Sequence, residues 1–122
     1  MKLIKPIVGQ TPLIKISSKI YAKLEAYNPA GSVKDRMITY VVDRARMFGK
    51  IKENTILCDE TSGNTGISLS MVAASMGLPC LIFMPGNMSQ ERKQMMKTYG
   101  AKIIEAPDDD FVGAIAMRDQ YL

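Results

Sequence analysis

Six consecutive residues, Thr61 to Gly66, have the sequence TSGNTG and combine four small polar side chains with two glycines. Hydroxyl and amide groups supply hydrogen-bond donors, and glycines let the backbone approach a ligand closely. The segment lacks the lysine of a Walker loop and the spacing of a GxGxxG motif. It therefore predicts a cradle for an anion other than a nucleotide phosphate, although an N-capped helix start would use some of the same residues.

A second candidate for chemistry is Lys34, in the segment GSVKDR. If Ser32 caps a helix, with Asp35 completing an S-x-x-D capping box, Lys34 falls in the first helical turn. A cation there opposes the helix dipole, so a neutral, nucleophilic amine forms more easily. The alternative is that Lys34 is an ordinary surface lysine whose amine is solvated. An amine and an anion cradle at two helix starts are, however, what a pyridoxal phosphate enzyme acting on an amino acid needs.

The hydrophobic pattern predicts the elements that position these residues. Two short runs, LIKI and IYAKLE, predict a pair of N-terminal strands. A helix is predicted from Val33 to Phe48, ended by Gly49, with one apolar face made of Val33, Met37, Val41, Ala45 and Phe48. The apolar runs TILC, PCLIFM and AKIIE each precede a helical segment and lack polar alternation. The predicted fold class is α/β, a small three-layer parallel sheet with flanking helices.

Parallel strands bring their carboxyl ends to one edge of a sheet, where ligands bind. TSGNTG follows the TILC strand, and MPGNMSQER follows PCLIFM, so we expect these two segments to lie side by side. The second segment could shape the mouth of the site or serve as an ordinary connection. The run Asp108 to Asp110 is typical of a loop and helix cap, and the sequence predicts no metal site.

Composition excludes several other classes of function. The chain contains no histidine, which removes His-based nucleophiles and most catalytic zinc sites. Its 16 basic and 12 acidic residues are interleaved, so the net charge of +4 predicts no nucleic-acid partner. No run approaches the roughly 20 apolar residues of a membrane helix, and no signal peptide is recognisable. Cys58 and Cys80 lie in apolar runs, as expected of buried thiols in a cytoplasmic protein.

Four stretches together resemble the cysteine synthase (O-acetylserine sulfhydrylase) and cystathionine β-synthase family of fold-type II pyridoxal phosphate enzymes. They are VGQTPL, KLEAYNPAGSVKDR, ETSGNTGISLS and MPGNMSQERKQMMKTYGAKII, and they span nearly the whole chain. NMSQER looks most like the B-type enzyme, while Gln10 stands where the family more often has asparagine. The resemblance implies that Lys34 is catalytic and binds pyridoxal 5'-phosphate, and that Asn64 binds its ring. It also implies that the substrate carboxylate binds Thr61, Ser62, Asn64 and Thr65.

By the same resemblance, the expected reaction is a β-replacement that makes L-cysteine from O-acetylserine, or a similar activated serine, and a sulfur donor. Family members are typically homodimers about twice as long as this chain. We therefore expect residues 1–32 to cross into a larger domain that is lacking, residues 33–122 to form the small domain, and the chain to be inactive alone. Two alternatives stay open: a non-catalytic binding or assembly module, and a related β-replacing enzyme with another nucleophile.

Overall fold

Residues 7–122 are described by the structure, a computed structural model, and they contain two separate sheets. Residues 1–6, the beginning of the predicted N-terminal segment 1–32, lie outside the described part. An antiparallel pair is formed by β1 (Leu13–Lys15) and β2 (Tyr21–Lys23). A parallel sheet is formed, in this spatial order, by β3 (Leu57–Glu60), β4 (Cys80–Pro85) and β5 (Lys102–Ala106). The predicted α/β fold class is confirmed.

The α-helices of the described residues are α1 (Lys34–Met47), α2 (Asn64–Met76), α3 (Gln90–Thr98) and α4 (Phe111–Asp119), and a short 3-10 helix spans Glu25–Tyr27. Against the sheet, α2 packs on β3 and β4, α3 packs on β5, and α4 contacts all three strands. The remaining helix, α1, packs on α2. Within residues 7–122, none of the helices combines the length and the apolar character that crossing a bilayer requires.

The central strand β4 is buried along its whole length. Ile82 and Met84 belong to the core cluster that includes the α2 residues, and side chains alternate across a strand. Phe83 therefore points to the opposite face, where its ring meets Tyr121 edge to face at 5.6 Å between centroids. Burial on both faces explains why the PCLIFM run is apolar without interruption.

The apolar stripe predicted for α1 is exposed rather than buried. Val33, Met37, Val41 and Phe48 are all at least 46% exposed, whereas the buried side chains are those of Asp35, Ile38, Thr39, Val42 and Asp43. Those buried positions also follow helical spacing, but on a different face. The difference arises because Asp35 is hydrogen-bonded toward α2, which turns the face containing Ile38 and Val42 inward. The predicted end of the helix is confirmed, since Gly49 has a φ of +67°.

A polar network ties the segments before β1 and after β2 to α1. The Arg36 guanidinium donates to both carboxyl oxygens of Glu25, at 2.8 Å each, and to the Gly9 carbonyl at 3.0 Å. Glu25 also accepts from the amide of Asn28 at 2.8 Å and from the hydroxyl of Thr11 at 3.0 Å. These hydrogen bonds, chiefly that from Arg36, hold the pKa of Glu25 at about 2, below its usual 4.5.

Because of this network, we expect the free energy of unfolding to depend on pH in the acid range. Because the pKa of Glu25 is lowered in the folded chain, its contribution is complete above about pH 4.5 and is lost as the pH falls toward about 2. We expect the free energy of unfolding, measured by urea titration, to fall over that window, and to fall less in Glu25→Gln. Glu53→Gln, at an exposed glutamate, should keep the wild-type pH dependence. Equal pH dependence in Glu25→Gln and wild type would contradict the assignment.

Candidate functional site

The TSGNTG segment lies at the carboxyl end of β3 and opens into α2. The amide of Thr61 continues the ladder by donating to the Phe83 carbonyl at 3.0 Å, and its hydroxyl accepts from the Gly63 amide at 3.3 Å. The first hydrogen bond extends the pairing one residue beyond β3, and the second turns the chain toward α2. The next residue, Asn64, is therefore the first residue of a helix that starts at the edge of the sheet.

Several donors at this helix start are not used within the described residues. The side chains of Ser62, Asn64 and Thr65 make no hydrogen bond there, and the Asn64 side chain is exposed. The backbone amides of Asn64 and Thr65 also lack an acceptor, as is usual in the first turn of a helix. Free hydroxyl, amide and backbone donors at the positive end of a helix dipole fit an anionic group such as a carboxylate.

The segment MPGNMSQER lies beside TSGNTG at the same edge, as predicted. Arg92 reaches across with its Nη1 atom 3.5 Å from the carbonyl oxygen of Ser62. Ser89 caps α3 by accepting a hydrogen bond from the Arg92 amide. The Nζ atom of buried Lys93 donates to the Gly86 carbonyl and lies 3.0 Å from a carboxyl oxygen of Glu105. Arg92 thus links this segment to TSGNTG, and Lys93 links it to β5.

Lys34 is the first residue of α1, and its side chain is exposed. Its backbone amide donates to the hydroxyl of Ser32 at 3.2 Å. The N-cap residue is nevertheless Val33, and no side chain caps the helix, so the predicted N-cap lies one residue too early. The predicted second half of the capping box is wrong. The carboxyl group of Asp35 instead accepts hydrogen bonds from the amide of Ala30, at 2.6 Å, and from the hydroxyl of Ser68 on α2. A carboxyl that faces a neighbouring helix cannot also return to its own N-terminus.

The Asp35 and Ser68 side chains connect the two predicted parts of the site. Asp35 follows Lys34 directly, and Ser68 lies four residues after Asn64, one turn along the same face of α2. Both side chains are fully buried. Motif spacing did not identify this pair, although an aspartate inside a helix that must pack on another helix is a signal that could have drawn attention to it.

The remaining candidates behave as structural residues. Asp110 caps α4 by accepting from the Gly113 amide at 2.7 Å, which confirms the predicted role of the aspartate run.

Cys80 is buried as predicted, and burial raises the pKa of its thiol to about 11. Cys58 is only partly buried, and burial is also the main cause that raises its pKa. Thiols of this kind are poor nucleophiles. In the part of the chain that the structure describes, no three potential metal ligands come together.

Comparison with known proteins gives consistent similarities. A family model described as pyridoxal-phosphate dependent enzyme matches residues 4–121. Cysteine synthase B of Salmonella typhimurium is 45% identical over 111 residues, covering 85% of this chain and 37% of that protein. Among solved structures, cysteine synthase of Entamoeba histolytica has a TM-score of 0.91 at 35% identity, over 97% of this chain and 38% of that chain. An O-acetylserine dependent cystathionine β-synthase from Helicobacter pylori has a TM-score of 0.86 at 36% identity, over 97% and 42%.

These proteins are all longer than the chain described here. The chain spans between 37% and 42% of the length of the relatives just named. The similarity therefore covers nearly all of this chain but less than half of each relative.

Tight packing under TSGNTG gives a test of how the helix start is held. A Cβ atom on Gly66 would lie 2.8 Å from both Met96 Cε and Thr61 Cγ2, and Met96 is fully buried. We expect Gly66→Ala to lower the free energy of unfolding by about 1–3 kcal/mol because the overpacked side chains must shift. At Gly63 the nearest atom would be 4.0 Å away, so Gly63→Ala should stay within about 0.5 kcal/mol of wild type. Equal losses in urea denaturation would rule out steric crowding at Gly66 as the cause.

Proposed function

The chain belongs to the family of pyridoxal-phosphate dependent enzymes, and from that premise we propose that it carries part of the active site of a cysteine synthase. The observation that supports this most strongly is the pair of helix starts tied together by Asp35 and Ser68, one with an exposed amine and one with free donors. The similarity to cysteine synthases over 85% of the chain supports the same activity.

We propose that Lys34 holds pyridoxal phosphate covalently and that the amide of Asn64 hydrogen-bonds its ring. The residues fit this role, since the Lys34 side chain is exposed and makes no ion pair within the described residues. When bound, the cofactor withdraws electrons from the α-carbon of an amino acid. The hydroxyls of Thr61, Ser62 and Thr65, together with Asn64 and the free α2 amides, would bind and orient the substrate's α-carboxylate.

Lys34 would also serve as the general base. Its amine would take the proton from the α-carbon of the bound amino acid. Acetate would leave the β-carbon of O-acetylserine, a sulfur nucleophile would take its place, and Lys34 would return a proton to the α-carbon. The overall exchange replaces the acetyloxy group by sulfur and gives L-cysteine when the sulfur donor is sulfide. The choice of activated serine and sulfur donor is part of the proposal.

A β-replacing enzyme with another nucleophile is the second candidate. It is favoured by the similarity to the protein from Helicobacter pylori, which is described as an O-acetylserine dependent cystathionine β-synthase. The roles proposed for Lys34 and TSGNTG are the same in both candidates, because both reactions begin with the α-proton and the β-leaving group.

We further propose that residues 33–122 act as a small domain and that residues 1–32 pack against protein beyond the described fold. The β1–β2 pair supports this, since five of its large apolar side chains are at least 42% exposed: Leu13, Ile14, Ile16, Ile20 and Tyr21. Exposed apolar surface of this extent commonly marks a contact with other protein. A homodimer in the cytoplasm is the assembly and location that we propose for the whole enzyme.

Covalent trapping tests the role of Lys34. Titration with pyridoxal phosphate, followed by borohydride reduction and peptide mass mapping, should label Lys34 at about one equivalent, because its side chain is exposed at the start of α1 and makes no ion pair within the described residues. Lys34→Ala should lower the visible absorption band and the labelling at least about tenfold. Lys50→Ala, at an exposed lysine beyond the other end of α1, should leave both unchanged. Labelling spread evenly over the lysines would contradict the assignment.

Complementation tests whether the chain takes part in catalysis. Alone, we expect it to form no cysteine from O-acetylserine and sulfide at enzyme-like rates, because the relatives use more than twice this length of chain. Adding the C-terminal part of Salmonella typhimurium cysteine synthase B, produced separately, should restore cysteine formation to a rate well above the uncatalysed one. Lys34→Ala should abolish the restored activity. Fast catalysis by the chain alone would overturn the expected inactivity, and an inactive mixture would favour a non-catalytic module.

A further inference from the structure

We propose that Asp35, acting through the hydroxyl of Ser68, is a positioning residue that fixes Lys34 relative to Asn64. The inference rests on the proposed function only in giving Lys34 and Asn64 their roles toward the cofactor. The link itself is a property of the described residues: one buried carboxyl group joins the loop before α1, the first turn of α1 and the second turn of α2.

The Asp35 carboxyl group is completely buried, and each of its oxygens has a protein donor. One oxygen accepts from the backbone amide of Ala30 at 2.6 Å, and the other accepts from the hydroxyl of Ser68. Ser68 is also fully buried, so water cannot replace either partner while the helices remain packed. Leaving a buried acceptor without its donor is costly, which makes the arrangement specific.

The position of this carboxyl group in the chain connects it to Lys34. The side chain of Lys34 makes no hydrogen bond within the described residues, so its location is set by the backbone of residues 30–35. That backbone is held at Ala30 by Asp35 itself. On the other side, Ser68 lies one helical turn after Asn64. A shift of the start of α1 relative to the start of α2 must therefore break the hydrogen bond.

The apolar contacts between the two helices cannot supply the same precision. Ile38 and Val42 belong to the same buried cluster as Ile67 and Met71, but they lie farther along α1 than Lys34 does. Apolar packing is not directional and tolerates small sliding movements, whereas a hydrogen bond requires both a short distance and alignment. The apolar contact thus holds α1 against α2, and the Asp35 carboxyl group fixes the position of the first turn of α1 relative to α2.

Two serines of α2 provide a matched pair for the experiment. Ser68 and Ser70 are both fully buried, but the Ser70 hydroxyl donates at 2.7 Å to the Gly66 carbonyl within the same helix and lies 3.9 Å from Cys80 Sγ on β4. Within the described residues it makes no hydrogen bond to α1. Amide hydrogen exchange of residues 30–35 would be measured in wild type, Ser68→Ala and Ser70→Ala, without cofactor. Labelling of Lys34 by pyridoxal phosphate and borohydride would then be measured in the same three proteins.

In Ser68→Ala we expect exchange at residues 30–35, and above all at the Ala30 amide, to rise about tenfold or more, with little change in β4. Lys34 labelling should fall by a similar factor. Ser70→Ala should leave exchange at residues 30–35 and Lys34 labelling near wild-type values. An equal rise in exchange along the whole chain, or the same local change in both variants, would overturn the positioning role and leave a purely structural one.

Two further outcomes are separated by the design. If wild type takes up no cofactor at Lys34, the proposed function fails, while the exchange comparison still decides whether Asp35 and Ser68 hold the start of α1. If Ser68→Ala does not fold, Ser68→Cys gives the same comparison, because a thiol is a weaker donor of similar size. Unchanged exchange at Ala30 in Ser68→Cys would then overturn the proposal.

Discussion

The parallel pairing of β3, β4 and β5 is the constraint on which the rest of the structure depends. It requires a crossover between β3 and β4 and another between β4 and β5, and it brings all three carboxyl ends to one edge. The connections after β3 and β4 therefore become neighbours, as the Arg92 contact with the Ser62 carbonyl shows. Burial of β4 on both faces keeps this arrangement rigid. The packed sheet therefore positions the loops at this edge, and these loops can bear functional side chains.

Two buried polar side chains and one partly exposed ion pair hold the irregular segments that lie outside the sheet. Asp35 joins the loop before α1 to α2, Lys93 joins the connection after β4 to β5, and Arg36 with Glu25 joins the segments before β1 and after β2 to α1. Each group satisfies backbone or side-chain partners that would otherwise be left unpaired. Their directional bonds give the loops fixed positions, while the apolar core supplies most of the driving force for folding.

The functional proposal follows from this division of roles. One helix start carries an exposed amine, and a second carries free hydroxyl and amide donors. The buried hydrogen bond between Ser68 and Asp35 holds the two helices in a fixed relation. A reaction on an amino acid held by its carboxylate needs such groups in fixed relation. Membership of the pyridoxal-phosphate dependent enzymes agrees with these parts.

Sequence alone determined the element order, the parallel sheet, the Gly49 helix end and the position of TSGNTG at a helix start, because these depend on local hydrophobic period and turn chemistry. It also identified Lys34 and the TSGNTG side chains as candidates. It did not determine which face of α1 is buried or that Asp35 turns away from its own helix end toward Ser68. Those outcomes were decided only in the tertiary structure, because a buried carboxyl group must find its donors on whichever element packs against it.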